Sequence, residues 1–332
     1  MSEQPISSIA ERFGIKASRI KKIRKGVYRV VTPSGKIFSL KRMPKQLARL
    51  QWTDRVLRRV QNSGPLLAWR NPQMPEGRRL YVISQKGEPY VLTPWISGRE
   101  PSPRSLSDMR ACGVALAQFH LAGRTGLKGK IAHSRIGSWH STLRYRQRNL
   151  QKKITKAIRN GFSPPINRFV QQHRSEILHY SSQAGALLRS SGYRAYCRSP
   201  RQNGVLSHGD GGPSNFILNK KGTYLIDFET LHVDLRAYDL FRVIYNSCKD
   251  YNWNFAIAKA ILTGYRKVAK LSKTDYELIQ VWLRFPYTTY LVLSPFERFP
   301  LTTSWLQWAL ASERKIGSFL QKLDNYAAKH SQ

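Results

Sequence analysis

Acidic residues are what this 332-residue chain has least of: 19 Asp and Glu stand against 56 Lys and Arg, a formal charge of +37. So large an excess favours polyanionic partners and sets the compact chain against its own repulsion, but it does not dictate a fold. From Met109 to Ser175 there is no acid at all, and as far as Gly209 the only one is Glu176. Cysteine is scarce as well. Cys112, Cys197 and Cys248 are an odd set without C-x-x-C spacing, which indicates neither a disulfide framework nor a zinc site. No apolar run is long enough to cross a bilayer. The opening MSEQPISSIAERF lacks the charged-then-apolar layout of a secretory leader, so synthesis in the cytosol is expected. Internal repeats and low-complexity blocks are absent. With no helix-turn-helix, zinc-finger or RNA-binding signature, specific nucleic-acid recognition is not expected, whereas salt-sensitive adhesion to polyanions is.

What is present is a globular composition, 41% hydrophobic with 8 Trp, on a length that fits one large or two ordinary domains. The first ninety residues read as β-rich. Val27 to Val31 and Lys36 to Met43 form a hairpin around Thr-Pro-Ser-Gly, and Leu80 to Ser84 with Tyr90 to Thr93 form another around Lys86-Gly87. Leu47 to Val60 has helical spacing and stops near Gly64-Pro65. After Pro94 the pattern turns helical, over Leu106 to Ala122, over Thr142 to Arg159, and again from Tyr238 to Tyr326. The expected fold is α+β and two-lobed, with a small β-rich lobe over 1–94, a hinge near 90–95 and a larger helical lobe over 95–332.

The carboxylates avoided elsewhere gather in one place: Asp210, Asp227, Glu229, Asp234 and Asp239 fall within thirty residues. HGDGGPSN from His208 to Asn215 is followed by LIDFET from Leu225 to Thr230, with a strand pair around Lys-Lys-Gly between them. Asp210, Asn215 five residues on and Asp227 twelve further supply what phosphoryl transfer from ATP needs. One carboxylate orients the acceptor hydroxyl, and an amide and a second carboxylate hold the metal that neutralises the phosphates. Asp, Asn and Gly are also ordinary turn residues, but their order here is more than turn chemistry asks for.

HGD-x4-N followed by IDF resembles the aminoglycoside phosphotransferase and choline kinase superfamily, relatives of protein kinases. Within it the chain is similar to the CotS family of spore coat proteins, through FSLKR around Lys41, YVLTPWISGRE, LAQFHLAG, RIGSW, VDLRAYDLFRVI and RFP. The resemblance implies an ATP- and Mg²⁺-dependent phosphotransferase. Asp210 is its catalytic base, Asn215 and Asp227 are its metal ligands, and Lys41 reaches the α and β phosphates. Tyr90 to Pro94, centred on Leu92, offers adenine its backbone, while His208 braces the loop. Asp239 is buried and accepts backbone N–H bonds from that loop. It also implies synthesis in the mother cell, deposition in the spore coat and partners among other coat proteins or acidic surfaces. The phosphoacceptor is left open among small molecules, saccharides and proteins. The alternative is a kinase-fold assembly protein with weak or no catalysis.

Three features depart from the pattern. Leu47 to Val60 holds no glutamate, only Asp54, which leaves Lys41 without its usual partner. The nucleotide-covering turn is reduced to Lys25-Gly26. Gly211-Gly212 follow Asp210 where bulkier residues are usual, and are expected to loosen the loop. The basic run Leu143 to Arg159 reads either as a helix docking on an acidic surface or as a solvated face over an apolar stripe.

Overall fold

The computed structural model describes residues 6–125, 132–159, 163–294 and 302–331. A short helix α1 (Ile6–Glu11) leads into strands β1 (Arg19–Arg24), β2 (Val27–Val31) and β3 (Ile37–Arg42). Helix α2 (Leu47–Gln61) and strands β4 (Val82–Ile83) and β5 (Pro89–Pro94) follow. The strands form one antiparallel sheet in the order β1-β2-β3-β5-β4. Alternation sorts their side chains between two faces. Val30, Phe38, Leu40, Val82, Tyr90 and Leu92 share one face and pack with Ile9, Phe13 and Ile15, while Lys41, opposite Val91, lies on the other.

Strand β1 is not legible in the sequence. Its RIKKIR is exposed along almost its whole length, so no apolar alternation marks it. It exists because β2 offers a free edge, and its lysines keep that edge from recruiting another chain. Helix α2 departs from its own lobe. Leu50, Val56, Leu57 and Val60 join the larger core and pack on the next helix, so the two lobes share hydrophobic surface as well as a chain crossing.

The remainder is mostly helical: α3 (Leu106–Thr125), α4 (Trp139–Arg159), α5 (Pro164–Ser190), α6 (Tyr193–Arg198) and α7 (Pro200–Asn203). Four short strands then form two antiparallel pairs. β6 (Gly204–Ser207) pairs with β9 (His232–Leu235), and β7 (Phe216–Asn219) pairs with β8 (Gly222–Leu225). The chain ends in α8 (Arg236–Cys248), α9 (Phe255–Arg266), α10 (Lys273–Arg284), α11 (Tyr287–Val292) and α12 (Thr303–His330). The observed architecture is the α+β layout expected, an antiparallel-sheet lobe followed by a helical one.

Helices α3 and α9 touch through glycine. A Cβ on Gly113 would lie 2.1 Å from the Ile261 carbonyl oxygen, and one on Gly264 would lie 2.0 Å from that of Arg110. In α4, Leu143, Leu150, Ile154 and Ala157 are buried, and Arg144, Arg148, Lys152, Lys156 and Arg159 form an exposed stripe opposite. Helix α5, which lies in a stretch the sequence leaves unassigned, buries Ile166, Val170, Ile177, Ala184 and Leu188. These anchors recur at four- and seven-residue steps along one face, so the helical periodicity is present in the sequence although the expectation above does not assign it.

Candidate functional site

Strand β6 ends at Ser207, and the chain then loops from His208 to Asn215 before entering β7. A single carboxylate organises that loop. Asp239, on the first turn of α8 and fully buried, accepts the N–H of His208 at 2.7 Å, that of Gly209 at 2.8 Å and the Ser207 hydroxyl at 2.9 Å. His120 of α3 completes the set, with Nε2 at 2.9 Å from Asp239 and Nδ1 at 2.8 Å from the Tyr265 hydroxyl. Burial alone would raise the Asp239 carboxyl, but these donors hold it well below the ordinary range. The same burial lowers His120, whose Nε2 donates to the Asp239 carboxylate. His120 sits within LAQFHLAG; nothing in its spacing reveals that it meets Asp239.

Asp210 follows with its side chain half exposed at 50%, paired with Arg242 one turn after Asp239 on α8. Asn215 Nδ2 donates to the Asp210 carbonyl at 2.6 Å, leaving the amide oxygen for another partner. The two glycines do not loosen this loop. Both are buried, Asn246 Nδ2 donates to the Gly211 carbonyl at 2.6 Å, and a Cβ on Gly212 would stand 2.9 Å from that same amide nitrogen. Neither has a positive φ. At Gly212 α8 comes too close for a Cβ without moving Asn246, whereas a Cβ on Gly211 would meet α8 at 3.4 Å, an ordinary contact, so the Asn246 bond to its carbonyl is what fixes the loop there. His208 ties it to the next segment, donating from Nε2 to the Ile226 carbonyl at 2.8 Å.

Asp227 lies just past β8 in the left-handed region, φ 67°, which Asp tolerates better than most residues. Both of its oxygens are engaged: Lys41 Nζ is 2.5 Å from Oδ1, and Arg24 Nη2 is 2.9 Å from Oδ2. Lys41 also reaches Glu229 at 3.0 Å. The lysine is therefore not left unpaired. Its partners come from the Asp227 loop instead of helix α2. Asp54 is committed elsewhere, to Arg70 in a buried ion pair and to the Trp69 indole N–H at 2.9 Å. Burial pushes the Asp227 carboxyl up, but Lys41 and Arg24 outweigh it and hold it below its usual value.

Lys41, Asn215 and Asp227 line one cleft of about 360 Å³, roofed by Ile23, Arg24 and Val27, with Thr93, Pro94, Trp95 and Ile96 also among its walls. Leu92 is not among its walls. Strand parity sends its side chain to the opposite face, 3% exposed, against Leu40 and Phe38, and the cleft meets the strand at Val91 and Thr93 instead. A second cavity of about 660 Å³ opens beside it, lined by Asp210, Asn215, Arg242, Asn246, Lys249 and Tyr251 among others. Asn215, Ser214 and Glu100 face both. Asp210 lines only the second cavity, next to the residues the two share. His208 and Asp239 line neither and act from behind the loop. Arg24, Glu229 and Arg242 are the site residues the sequence did not single out. Glu229 belongs to the acidic cluster, and Arg242 lies one helical turn from Asp239, but Arg24 is one base among many.

The residues fit a metal–nucleotide pair. Among the described residues no group of three or more His, Cys, Asp or Glu is arranged to hold a metal alone. One carboxylate and one amide oxygen beside a cleft are what Mg²⁺ uses when phosphates complete its octahedron.

Comparison with known proteins agrees. Residues 20–271 match the phosphotransferase enzyme family, APH. Spore coat protein S of Bacillus subtilis (strain 168) is 23% identical over 209 residues, covering 60% of this chain and 57% of its own length. An aminoglycoside phosphotransferase structure from Alicyclobacillus acidocaldarius superposes with a TM-score of 0.81 at 21% identity, over 99% of this chain and 98% of that one. The spectinomycin phosphotransferase APH(9)-Ia, solved with ADP and spectinomycin, superposes at 0.64 with 14% identity, over 98% and 99%. Amicoumacin kinase with AMP-PNP and Ca²⁺ gives 0.59 at 14%, over 93% and 90%. With the family match covering most of the chain, and the sheet lobe, the HGD loop and the Asp227 loop all in place, this protein belongs to the APH phosphotransferase family.

Proposed function

We propose that the protein transfers the γ-phosphoryl group of ATP to a hydroxyl acceptor with Mg²⁺, and that it works as a spore coat component. The observation that carries the reading is the meeting of Lys41, Asn215 and Asp227 in one cleft, with Asn215 also lining a second cavity that Asp210 faces. Residues up to Pro94 cover the nucleotide, and the helical lobe supplies the acceptor side. Lys41 neutralises the α and β phosphates. Asn215 and Asp227 hold the metal, which when bound draws charge from the phosphate oxygens and aligns them. Asp210 takes the proton of the acceptor hydroxyl while that oxygen bonds to the γ phosphorus and the bond to the bridging oxygen breaks, releasing ADP. Arg242 pairs with Asp210 and aims it, and Asp239 holds the loop that carries it.

The coat assignment rests on the resemblance to spore coat protein S, and coat proteins with acidic surfaces are the partners proposed for the α4 stripe. The test is thermal unfolding with and without Mg-ATP, on the native chain and on Asp227→Ala. At a hundredfold over Kd, ligand adds about 2.7 kcal/mol of stability. A shift that needs Mg²⁺ and disappears in the variant supports the reading. Absence of any shift at millimolar nucleotide overturns the enzyme and leaves a kinase fold serving as coat material.

A further inference from the structure

The turn that covers the nucleotide cleft has one glycine, and that glycine is tied down. Gly26, at φ 77°, has its carbonyl accepting from the Arg42 N–H at 2.7 Å. A Cβ there would sit 3.2 Å from Arg42 Cβ. A flexible run of backbone N–H groups over the phosphates, which protein kinases obtain from several glycines, is not available here. Strand β1 supplies something else. Its pairing with β2 slips between Lys22, opposite Tyr28, and Arg24, opposite Val27, so Ile23 is an extra residue in a bulge. Consecutive strand residues normally point to opposite faces. Here both Ile23 and Arg24 line the cleft, the kind of re-aiming that bulges perform.

Arg24 reaches from this roof to the floor, where Nη2 meets Asp227 Oδ2 at 2.9 Å. Its side chain is 64% exposed and the carboxylate 21%. An ion pair so open to water is weak, and the guanidinium is not packed in place. The fork of N–H donors that reaches Asp227 matches phosphate oxygens as well, and bidentate phosphate pairs are among the strong charge-assisted hydrogen bonds.

We infer that Arg24 binds the nucleotide's terminal phosphates, doing with one side chain what the absent glycines would do with backbone, and releases Asp227 to the metal as it does so. The inference rests on the ATP reading above. It makes affinity depend on the number of phosphates, because Arg24 stands on Asp227, which in that reading holds the metal and its phosphates.

The experiment is calorimetric titration of Mg²⁺ with AMP-PNP and, separately, AMP into the native protein, Arg24→Gln and Lys22→Gln. Lys22 is exposed on the same strand, outside the nucleotide-covering turn and not part of the cleft wall, so its variant removes the same charge without the contact. In a chain of net charge +37, one charge lost from the general field changes little. Arg24→Gln is expected to weaken AMP-PNP binding about tenfold or more, the size of a lost charged hydrogen-bond pair, and AMP binding less than about twofold. Lys22→Gln is expected to stay within about twofold for both. AMP-PNP binding unchanged in Arg24→Gln, or weakened equally by Lys22→Gln, overturns the role of Arg24 while leaving the ATP reading intact. A native protein that binds no nucleotide overturns both. Unfolding temperatures without ligand establish that each variant is folded.

Discussion

Replacing Asp239 with alanine removes the acceptor on which the whole HGD loop converges, and the cost follows from its partners. Two backbone N–H groups, one imidazole N–H and one hydroxyl lose their bonds in a place that water does not reach. A stranded buried donor costs about 1–3 kcal/mol, and the hydroxyl can rotate to another acceptor. Breaking a buried charged set by deleting one member typically costs about 3–5 kcal/mol. A loss of about 4 kcal/mol is therefore expected, a large share of the roughly 5–15 kcal/mol that holds a domain together. Urea unfolding reads it directly: with a slope near 3 kcal/mol per molar, the midpoint falls by about 1.3 M. Asp239→Asn keeps one acceptor oxygen but turns an NH₂ toward donors, and should fall between. The pH dependence has a definite sign. The folded Asp239 carboxyl lies below its unfolded value of about 3.9, so its contribution is fully present above that value and is lost only as pH falls toward the folded one. The gap between native and Asn variant should accordingly be constant from pH 8 to 5. A midpoint shift under about 0.3 M for Asp239→Ala, or a gap that closes near neutrality, would refute the placement of an ionised carboxylate at the centre of the loop.

Gly212→Ala puts a Cβ against Asn246 and should cost about 1–3 kcal/mol by overpacking, read as a lower unfolding temperature, with the Asn246→Ala background restoring part of it. Glu313 is buried on α12, accepts from the Thr288 N–H at 2.9 Å, and is pushed up to about 8 by burial. Its folded form holds a proton that the unfolded chain releases near pH 4.5, so stability should decline at up to about 1.4 kcal/mol per pH unit from there to about 8. Glu313→Gln should flatten that decline, and identical pH profiles for the two would count against it. The α4 stripe should give binding to an acidic polymer that weakens steeply with salt. Arg148→Gln, Lys152→Gln and Lys156→Gln together should reduce both the affinity and the salt slope while leaving nucleotide binding unchanged, as measured on polyanion resin and by calorimetry.

Several elements were fixed by short stretches of chain alone. Strands β2, β3 and β5 follow from β-branched and aromatic residues between turn signals, and α3 and α4 from apolar residues at three- and four-residue steps, because these patterns depend on backbone geometry within a few residues. The HGD loop and the Asp227 loop were likewise visible as an ordered set of carboxylates and an amide, although order along the chain could not say which cavity each would face. Tertiary structure decided the rest. Strand β1 needed the edge of β2. Leu92 faces the sheet's packed side because a strand's parity is set by its neighbours. The loop at Gly211-Gly212 is held because α8 lies against it, through the Asn246 bond to the Gly211 carbonyl and the close approach at Gly212. Lys41 meets Asp227, 186 residues away, and Asp239 meets His120, 119 residues away. Such pairings depend on how two lobes and three helices come together, and a charged side chain carries no mark of the partner it will meet across that distance.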